Sequence, residues 1–422
     1  MKHRFLSILS AAVIVSTMAS PIFSTAADVE NGTETSSVTS TTELSSEKSP
    51  TFIDVLGDRF KIGSIIYISD FSNYTDYLTD NFNIFAPTYC FTPDMLLSKN
   101  ASIELGENDN PQVDLHLADS MLKYCEENEI PISPGTFVYY SQTPSWFFKE
   151  NFKDTAPYVN EEIMNKRLEN FIKNIFEGLK KNYPNLIIDS YEVCKEVFTN
   201  DGGGYRTANN DWFRVYDDDE FIFNAYTYAR KYAPENTKLL YCDYNENMPD
   251  KTDDIYNLAL KLKEKNLIDG IGLEGYINKT FPTVQNYKTA LDKLSTLGLD
   301  VRITEFNIYE HDKVLYDLYP QFINLFKQYD CISTIVFEPV VHNNWNIKKT
   351  LDKILDAISK PEADINGDGS FDIADAVMLS KIITSGIIPE NCNPAGADLD
   401  GDGEITVFDL LTLRTILLTT NS

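Results

Sequence analysis

Short runs of β-branched and aromatic residues alternate with amphipathic helical stretches from Phe52 to about Lys360, and this alternation limits the possible folds most strongly. Strands separated by helices predict parallel pairing, because the chain must cross over before each new strand. The eight candidate strands are KIGSIIYI from Lys61, IFAPTY from Ile84, ISPGTFVYY from Ile132, IDSYEVCKE from Ile188, KLLYCDYN from Lys238, GIGLEGYI from Gly270, DVRITEFNI from Asp300 and STIVFEPV from Ser333. Eight such units predict an α/β fold, a (β/α)₈ TIM barrel. The alternative is an open doubly wound sheet, but no Gly-rich phosphate loop follows the first strand.

The N-terminal segment differs in composition from the rest of the chain. A basic start and an apolar run from Phe5 to Ala19 precede small residues at Ser24 and Ala26, which is typical of a cleaved secretory signal. The following Ser/Thr-rich stretch lacks the apolar side chains needed to offset chain entropy, so we predict a disordered linker. The predicted bounds are 1–26 for the signal peptide, 27–50 for the linker, 51–360 for the barrel and 361–422 for a C-terminal module. The mature protein is expected to be secreted.

The charge balance excludes some partners. The chain has 36 Lys and Arg against 64 Asp and Glu, a net charge of -28. Such a surface repels phosphate backbones and anionic lipids, so we expect neither nucleic acid nor membrane as a partner. Neutral polysaccharides and cations remain compatible with it. The six cysteines are widely spaced, which favours buried free thiols but leaves disulfides open.

Two acidic segments of the same design follow the predicted barrel. Each begins with alternating acidic residues, turns at a glycine and runs into an apolar helical stretch. Calcium binds about six to eight oxygen ligands, and this spacing arranges oxygens around one ion per loop. A single such segment could be a solvated turn, but two in tandem predict two calcium ions. The predicted ligands are Asp364, Asn366, Asp368, Ser370, Asp372 and Asp375 in the first loop and Asp398, Asp400, Asp402, Glu404 and Asp409 in the second.

Both loops end in Asp where an EF-hand has Glu, and neither has an entering helix. In these features the segment from Asp364 to about Leu418 resembles the dockerins of cellulosomal enzymes, which are small all-α calcium-binding domains. The resemblance implies binding to a cohesin domain of a scaffoldin, and therefore an extracellular location in a cellulosome. The positions that commonly set cohesin choice hold Ile373 and Ala374 in one repeat and Val407 and Phe408 in the other. Because the two pairs differ, we predict one binding orientation.

Two glutamates occupy the positions expected of a glycosidase pair. Glu196 ends the fourth candidate strand and Glu305 lies near the end of the seventh. Retaining glycosidases need two carboxyl groups about 5–5.5 Å apart, and opposite strands of a barrel mouth can supply them. In so acidic a chain, either residue could instead lie on the surface.

Short sequence motifs near these glutamates make the prediction of a glycosidase more specific. They are Q-T-P-S-W-F from Gln142, Y-E-V-C-K-E from Tyr191, D-Y-N from Asp243, G-I-G-L-E-G from Gly270 and I-T-E from Ile303. In this order the chain resembles glycoside hydrolase family 10, the xylanase family, from about Phe60 to Trp345. The resemblance implies that Glu196 is the acid/base and Glu305 the nucleophile of a retaining endo-1,4-β-xylanase-like enzyme. The implied substrate is xylan or a related plant β-glycan, and catalysis needs no cofactor.

The chain departs from the family pattern around the sugar pocket. The family has Trp-His where this chain has Tyr139 and Tyr140, an Asn at Lys195, and a Gln and a His at Glu274 and Tyr276. The family's Asn and Lys after the second strand correspond to Tyr89 and Thr92, and its Trp of the eighth strand to Glu338. The predicted sugar-binding residues are Tyr140, Lys195, Glu274, Tyr276 and Trp345.

These replacements leave three interpretations open. The barrel could be an active β-glycanase, a glycosidase of changed sugar specificity, or a degenerate barrel that binds glycan without cleaving it. An unpaired Lys195 would favour the ionised form of Glu196 and weaken it as an acid. If Lys195 pairs with Glu274, the effects on Glu196 and Glu305 partly cancel; alternatively, Lys195 points to solvent.

Overall fold

The computed structural model describes residues 50–278, 280–308, 318–338, 347–359, 363–368, 370–389, 392–393, 396–399 and 404–420. Outside these residues lie the predicted signal peptide and all but the last residue of the predicted linker. The predicted sugar-binding residue Trp345 and the predicted calcium ligands Asp400 and Asp402 also lie outside them.

The strands form one closed parallel sheet. They are β1 (Lys61–Ile65), β2 (Ile84–Ala86), β3 (Val138–Tyr139), β4 (Ser190–Lys195), β5 (Lys238–Asp243), β6 (Gly270–Leu273), β7 (Tyr276–Ile277), β8 (Asp300–Ile308) and β9 (Ile332–Phe337). The sheet order is β2-β1-β9-β8-β6-β5-β4-β3, and β7 pairs with β8 off this path. Ile132, ahead of β3, bridges Phe85 on one side and Ile188 on the other, which closes the cylinder. The predicted (β/α)₈ barrel is therefore confirmed.

Helices follow the strands around the outside of the cylinder. They are α1 (Phe52–Leu56), α2 (Ile68–Asn81), α3 (Pro93–Leu96), α4 (Lys99–Leu105), α5 (Asp119–Glu127), α6 (Glu161–Asn182), α7 (Asp211–Tyr216), α8 (Glu220–Tyr232), α9 (Pro249–Glu264), α10 (Val284–Leu294), α11 (Leu318–Lys327) and α12 (Ile347–Ile358). Short 3₁₀ turns lie at Thr88–Phe91, His116–Ala118, Ser145–Phe148, Glu150–Phe152 and Ser295–Leu297. The longest helix, α6, begins where the Asn160 side chain accepts a hydrogen bond from the amide of Ile163. Its apolar stripe lies in the core.

A buried ionic network lies where the barrel strands begin. Arg302 is 1 % exposed and donates to Asp189 over 2.6 Å and to Asp300 over 2.9 Å. Lys238 pairs with the same Asp300 at 2.7 Å. The network joins β4, β5 and β8 at the end of the barrel opposite the glutamates.

The C-terminal module has a small core of its own, formed by residues of both acidic segments and of α13 (Ile373–Ser385) and α14 (Val407–Thr420). Asp372 caps α13 through a hydrogen bond to the amide of Ala374, and Gly386 ends it with a left-handed φ of 66°. This all-α module matches the predicted fold class.

The six cysteines are free thiols, four of them buried. Within the described part of the chain, every helix is too short or too polar to cross a bilayer.

Candidate active site

Glu305 is held by two donors. It lies within β8 and is 3 % exposed. The ammonium of Lys195 contacts Oε1, and the hydroxyl of Tyr276 donates to Oε2. Tyr276 reaches this position because β7 pairs with β8 in a register that places it opposite Asn307. Each oxygen of this carboxyl group therefore has a donor from a different strand.

Lys195 is shared between Glu305 and Glu274. It is the last residue of β4, it is 6 % exposed, and its Nζ lies 3.1 Å from Oε1 of Glu274. That oxygen makes no hydrogen bond, so the contact is an ion pair without hydrogen-bond alignment. Burial alone lowers the pKa of Lys195, but Glu274 and Glu305 outweigh it and raise the pKa well above its ordinary value. Lys195 is therefore an ammonium ion.

The predicted pairing of Lys195 with Glu274 is present, and the alternative that Lys195 points to solvent is wrong. The lysine also does more than that prediction required, because it contacts the carboxylate of Glu305. Burial raises the pKa of Glu274, and Lys195 opposes this shift. The two replacements and Glu305 thus form one buried ionic cluster.

Glu196 has a different environment. It follows β4 with a left-handed φ of 53°, a conformation that costs about 1–3 kcal/mol and is concentrated at functional sites. Its Oε1 accepts a 2.9 Å hydrogen bond from the hydroxyl of Tyr139. Burial raises the pKa of Glu196, and Lys195 partly offsets the effect. The raised pKa favours the protonated form that a general acid needs.

A third carboxyl group, Glu338, lies next to this pair. It follows β9, is 2 % exposed, and accepts hydrogen bonds from Tyr89 over 2.8 Å and from Asn307 over 3.4 Å. Burial and the charge of Glu305 raise the pKa of Glu338 to about 7. The ring of Tyr89 also stacks on Tyr67 at 4.5 Å. The sequence analysis noted Glu338 only as the replacement of the family's Trp and did not predict it as a site residue. Its position after the last strand could have indicated such a role.

On the side of Glu196, Tyr140 lies in an aromatic and basic group. The guanidinium of Arg206 lies 4.2 Å from the Tyr140 ring centroid. The same guanidinium donates to Asn200 over 2.7 Å and to the hydroxyl of Tyr244 over 3.1 Å. Tyr140 is half-buried, which suits a residue that lines a cleft. Arg206 and Tyr244 were not among the predicted site residues.

A buried ion pair supports the loop after Glu196. Lys251 and Asp243 are both 0 % exposed, and Nζ of the lysine lies 2.7 Å from Asp243. Lys251 also donates to the carbonyl of Thr199 over 3.0 Å. The negative charge of Asp243 contributes to the raised pKa of Glu196. This pair therefore holds the loop and influences the acid.

In the C-terminal module, the last acidic residue of each loop accepts backbone donors. Asp375 accepts the amides of Ile365, at 2.7 Å, and Asp372, at 2.8 Å. Asp409 does the same with Leu399 and Thr406, both at 2.7 Å. In the described residues, the last Asp of each loop thus plays the same structural role.

The donor set of these loops fits calcium, because it consists of carboxylate, amide, hydroxyl and carbonyl oxygens. Two of the loop carboxylates, Asp364 and Asp375, are only 1 % and 0 % exposed. Within the described residues, no three acidic, His or Cys side chains gather closely enough to hold an ion. The ligand assignment therefore stays a prediction.

Comparison with known families decides the relationship of the barrel. The family model described as Glycosyl hydrolase family 10 matches residues 53–353. The chain belongs to this family. A second model, the Dockerin type I domain, matches residues 354–418. Both resemblances predicted from sequence are confirmed.

Curated relatives carry the same family domain within longer chains. A bifunctional endo-1,4-beta-xylanase XylA of Ruminococcus flavefaciens is 46% identical over 250 residues, covering 59% of this chain and 26% of the relative. An endo-1,4-beta-xylanase Y of Acetivibrio thermocellus is 38% identical over 271 residues, covering 60% of this chain and 25% of the relative. This glycosyl hydrolase family 10 chain thus spans about a quarter of the length of these two relatives.

Solved structures of the family share the fold. The CBM22-1 and GH10 modules of an endo-1,4-beta-D-xylanase 10B from Clostridium thermocellum, complexed with xylohexaose, superpose with a TM-score of 0.66 at 31% identity. That match covers 73% of this chain and 67% of the other. A psychrophilic endo-beta-1,4-xylanase of the family gives a TM-score of 0.60 over 73% and 99% of the two chains, and at 19% identity this shows the fold alone.

Proposed function

We propose that the protein is a secreted, retaining endo-β-glycanase of glycosyl hydrolase family 10, acting on xylan or a related plant β-glycan. Glu196 is the acid/base and Glu305 the nucleophile. The contrast between their surroundings carries this assignment. Glu305 contacts an ammonium and a phenol donor, which stabilise a carboxylate, whereas burial raises the pKa of Glu196. A carboxylate held by two donors next to a carboxyl group of raised pKa suits a nucleophile and acid pair.

The proposed reaction has two steps. An oxygen of ionised Glu305 attacks the anomeric carbon, and the bond from that carbon to the leaving oxygen breaks. Glu196 gives its proton to the leaving oxygen, and Glu305 becomes a neutral ester. In the second step Glu196 takes a proton from water, the water oxygen attacks the same carbon, and Glu305 is released as a carboxylate.

The remaining predicted residues are proposed to hold the sugar. Tyr140, next to the acid, would stack on the leaving side of the chain, and Trp345 on another sugar face. Glu274 is proposed to act at the sugar pocket through Lys195, whose ammonium lies 3.1 Å from its Oε1. Lys195 and Tyr276 already donate to Glu305, and they would orient that carboxylate toward the sugar.

The C-terminal dockerin is proposed to bind two calcium ions through its two loops and to dock the enzyme on a cohesin of a scaffoldin. Calcium would supply the charge that orders the acidic loops. Exposed apolar side chains near the helix starts support an apolar docking face, since Ile373 is 70%, Phe408 63% and Val407 53% exposed. The enzyme would thereby act as an extracellular cellulosome component.

The direct test is reducing-end release from a panel of polysaccharides, including linear xylan, glucuronoxylan, arabinoxylan and mixed-linkage β-glucan. We expect wild type to release reducing ends from at least one xylan, and Glu305→Ala to release none while still binding that polysaccharide. Binding without release across the whole panel would contradict the proposal.

Two alternative functions are each favoured by one observation. Both oxygens of Glu305 are engaged, by Lys195 and by Tyr276, and this would suit a barrel that binds glycan without cleaving it. The replacement of a Trp by Glu338 would suit a changed sugar preference. Reducing-end release from glucans alone would identify a changed sugar preference. Saturable binding without release would identify a barrel that binds glycan without cleaving it.

A further inference from the structure

Lys195 is shared between two carboxyl groups, and only one of them is the proposed nucleophile. Its Nζ contacts Oε1 of Glu305 and lies 3.1 Å from Oε1 of Glu274. The side chain of Lys195 is 7% exposed, that of Glu305 4% and that of Glu274 1%. Water therefore screens their charges little, and a change in one charge strongly affects the other two.

The first chemical step would remove one of these charges. When an oxygen of Glu305 bonds to the anomeric carbon, its negative charge is lost as the leaving oxygen takes the proton of Glu196. The ammonium of Lys195 then faces a neutral ester. A buried ammonium without a counter-ion is costly, because its own desolvation is no longer offset. Glu196 becomes a carboxylate in the same step, but among the described residues the ion pairs of Lys195 are with Glu274 and Glu305. The covalent state therefore needs a carboxylate other than Glu305 in contact with Lys195.

We infer that Glu274 is a positioning residue, the counter-ion that holds Lys195 while Glu305 is esterified. The inference rests on the proposed function, since it requires a covalent intermediate. Glu274 already lies in contact distance, so no rearrangement is needed. The negative charge of Glu305 is one of the causes that raise the pKa of Glu274, and esterification removes that charge, which favours ionised Glu274 beside Lys195. The Asn and Gln that the family pattern has at these two positions carry no charge, and Lys195 with Glu274 in this ionised form also sums to zero. The paired replacement thus preserves the charge on which the cycle depends.

Other titratable groups surround Glu305, and none of them is a cation in contact with it among the described residues. They are Glu192 and Glu196 on and after β4, Cys242 on β5, Tyr276 on β7, Tyr67 and Tyr89 after β1 and β2, and Glu338 after β9. Asp243, at the end of β5, faces Glu274. Loss of Lys195 would therefore leave Glu305 among acidic groups only.

The test compares Lys195→Asn, Glu274→Gln and the double variant on the best substrate. Lys195→Asn leaves Glu305 beside Glu274, so the acidic limb of kcat/KM should move up by about one to three pH units. Its kcat should fall on the order of a hundredfold. Glu274→Gln should also lower kcat but should not move that limb upward. The double variant should recover kcat to within about tenfold of wild type, with the limb moving back.

Glu338→Gln is the matched control, because it removes another buried carboxyl group near Glu305 that does not contact Lys195. Combined with Lys195→Asn, it should give no recovery. Additive losses in the Lys195/Glu274 double variant, or equal recovery with Glu338→Gln, would overturn the inference. A wild type without any hydrolysis would instead refute the proposed function.

Melting temperatures test the ionic cluster without activity. Burial already raises the pKa of Glu274 in wild type, and Lys195→Asn removes the charge that opposes this shift, so the pKa rises further. Such a group contributes stability below the unfolded pKa and loses it as pH rises. The loss of Tm relative to wild type should therefore grow from about pH 4 to about pH 8. A loss of Tm that is the same at every pH would count against the cluster.

Discussion

The two central carboxyl groups are both buried, but different donors contact them. Glu196 is buried with one phenol donor, and burial raises its pKa. Glu305 is as deeply buried but contacts the ammonium of Lys195 and the hydroxyl of Tyr276. At the residue scale, the two carboxyl groups therefore differ in the donors that contact them.

The hydroxyl of Tyr139 provides a test of the proposed acid. Its hydrogen bond to Glu196 stabilises the ionised carboxylate and so lowers the pKa. Tyr139→Phe should therefore raise the pKa of the acid, and the basic limb of kcat/KM should move to higher pH by about one unit. The pH profile of kcat/KM on a soluble xylan measures this shift. Tyr140→Phe, whose hydroxyl makes no hydrogen bond to Glu196, is the control and should leave the limb in place.

The sequence predicted the charge pair but not its full extent. Two complementary replacements near opposite strand ends indicated that Lys195 would meet Glu274. The contact with Glu305 could not be predicted, because a four-carbon side chain leaves the position of its ammonium open. The roles of Tyr139 and Glu338 were missed for a related reason: they depend on the strand register that brings distant segments together.

At the scale of elements, eight strands were predicted and eight units are present, but two differ in detail. The third strand is reduced to Val138–Tyr139, preceded by the isolated bridges of Ile132 to Phe85 and Ile188. The sixth is divided into β6 and β7 around Gly275, whose φ of 69° does not continue a strand. A hydrophobic pattern indicates that a segment is buried, but it does not give the local dihedral angles. These segments are buried like strands, so the pattern could not show where the strand geometry is interrupted.

The ionic network at the start of the strands should contribute to stability without affecting chemistry. Arg302→Met removes the cation between Asp189 and Asp300 and leaves two carboxylates close together. We expect a loss of about 3 kcal/mol in the free energy of unfolding, measured by urea denaturation. Lys166→Met, which removes an exposed helical ion pair at 3.0 Å, should leave the free energy of unfolding nearly unchanged, because water screens that pair. Equal effects of the two variants would contradict this account of the network.

The helix starts of the dockerin should determine cohesin binding. Exchanging the pair Ile373 and Ala374 with the pair Val407 and Phe408 would reverse the two docking faces. If one orientation is used, affinity for the cognate cohesin should fall at least about tenfold, measured by calorimetry with calcium present. Unchanged affinity would refute the single orientation. A chelator should abolish binding by wild type, which controls for calcium dependence.

At the scale of the whole molecule, the chain combines a family 10 barrel and a dockerin with a net charge of -28. Most of the acidic groups can lie in water, but the site must hold several in a nearly dry cleft. Lys195 and Lys251 each contact buried carboxylates there. The paired replacement at Lys195 and Glu274 therefore places a cation within this cluster of acids.

The most direct test is to trap the covalent intermediate with a 2-deoxy-2-fluoro-β-xylobioside that carries a good leaving group. Peptide mass spectrometry should then find one fluoroxylobiosyl group on the peptide that contains Glu305, and no label in Glu305→Gln. A label on another carboxyl group such as Glu338, or hydrolysis of xylan with inversion and no label, would contradict the assignment of Glu305 as nucleophile.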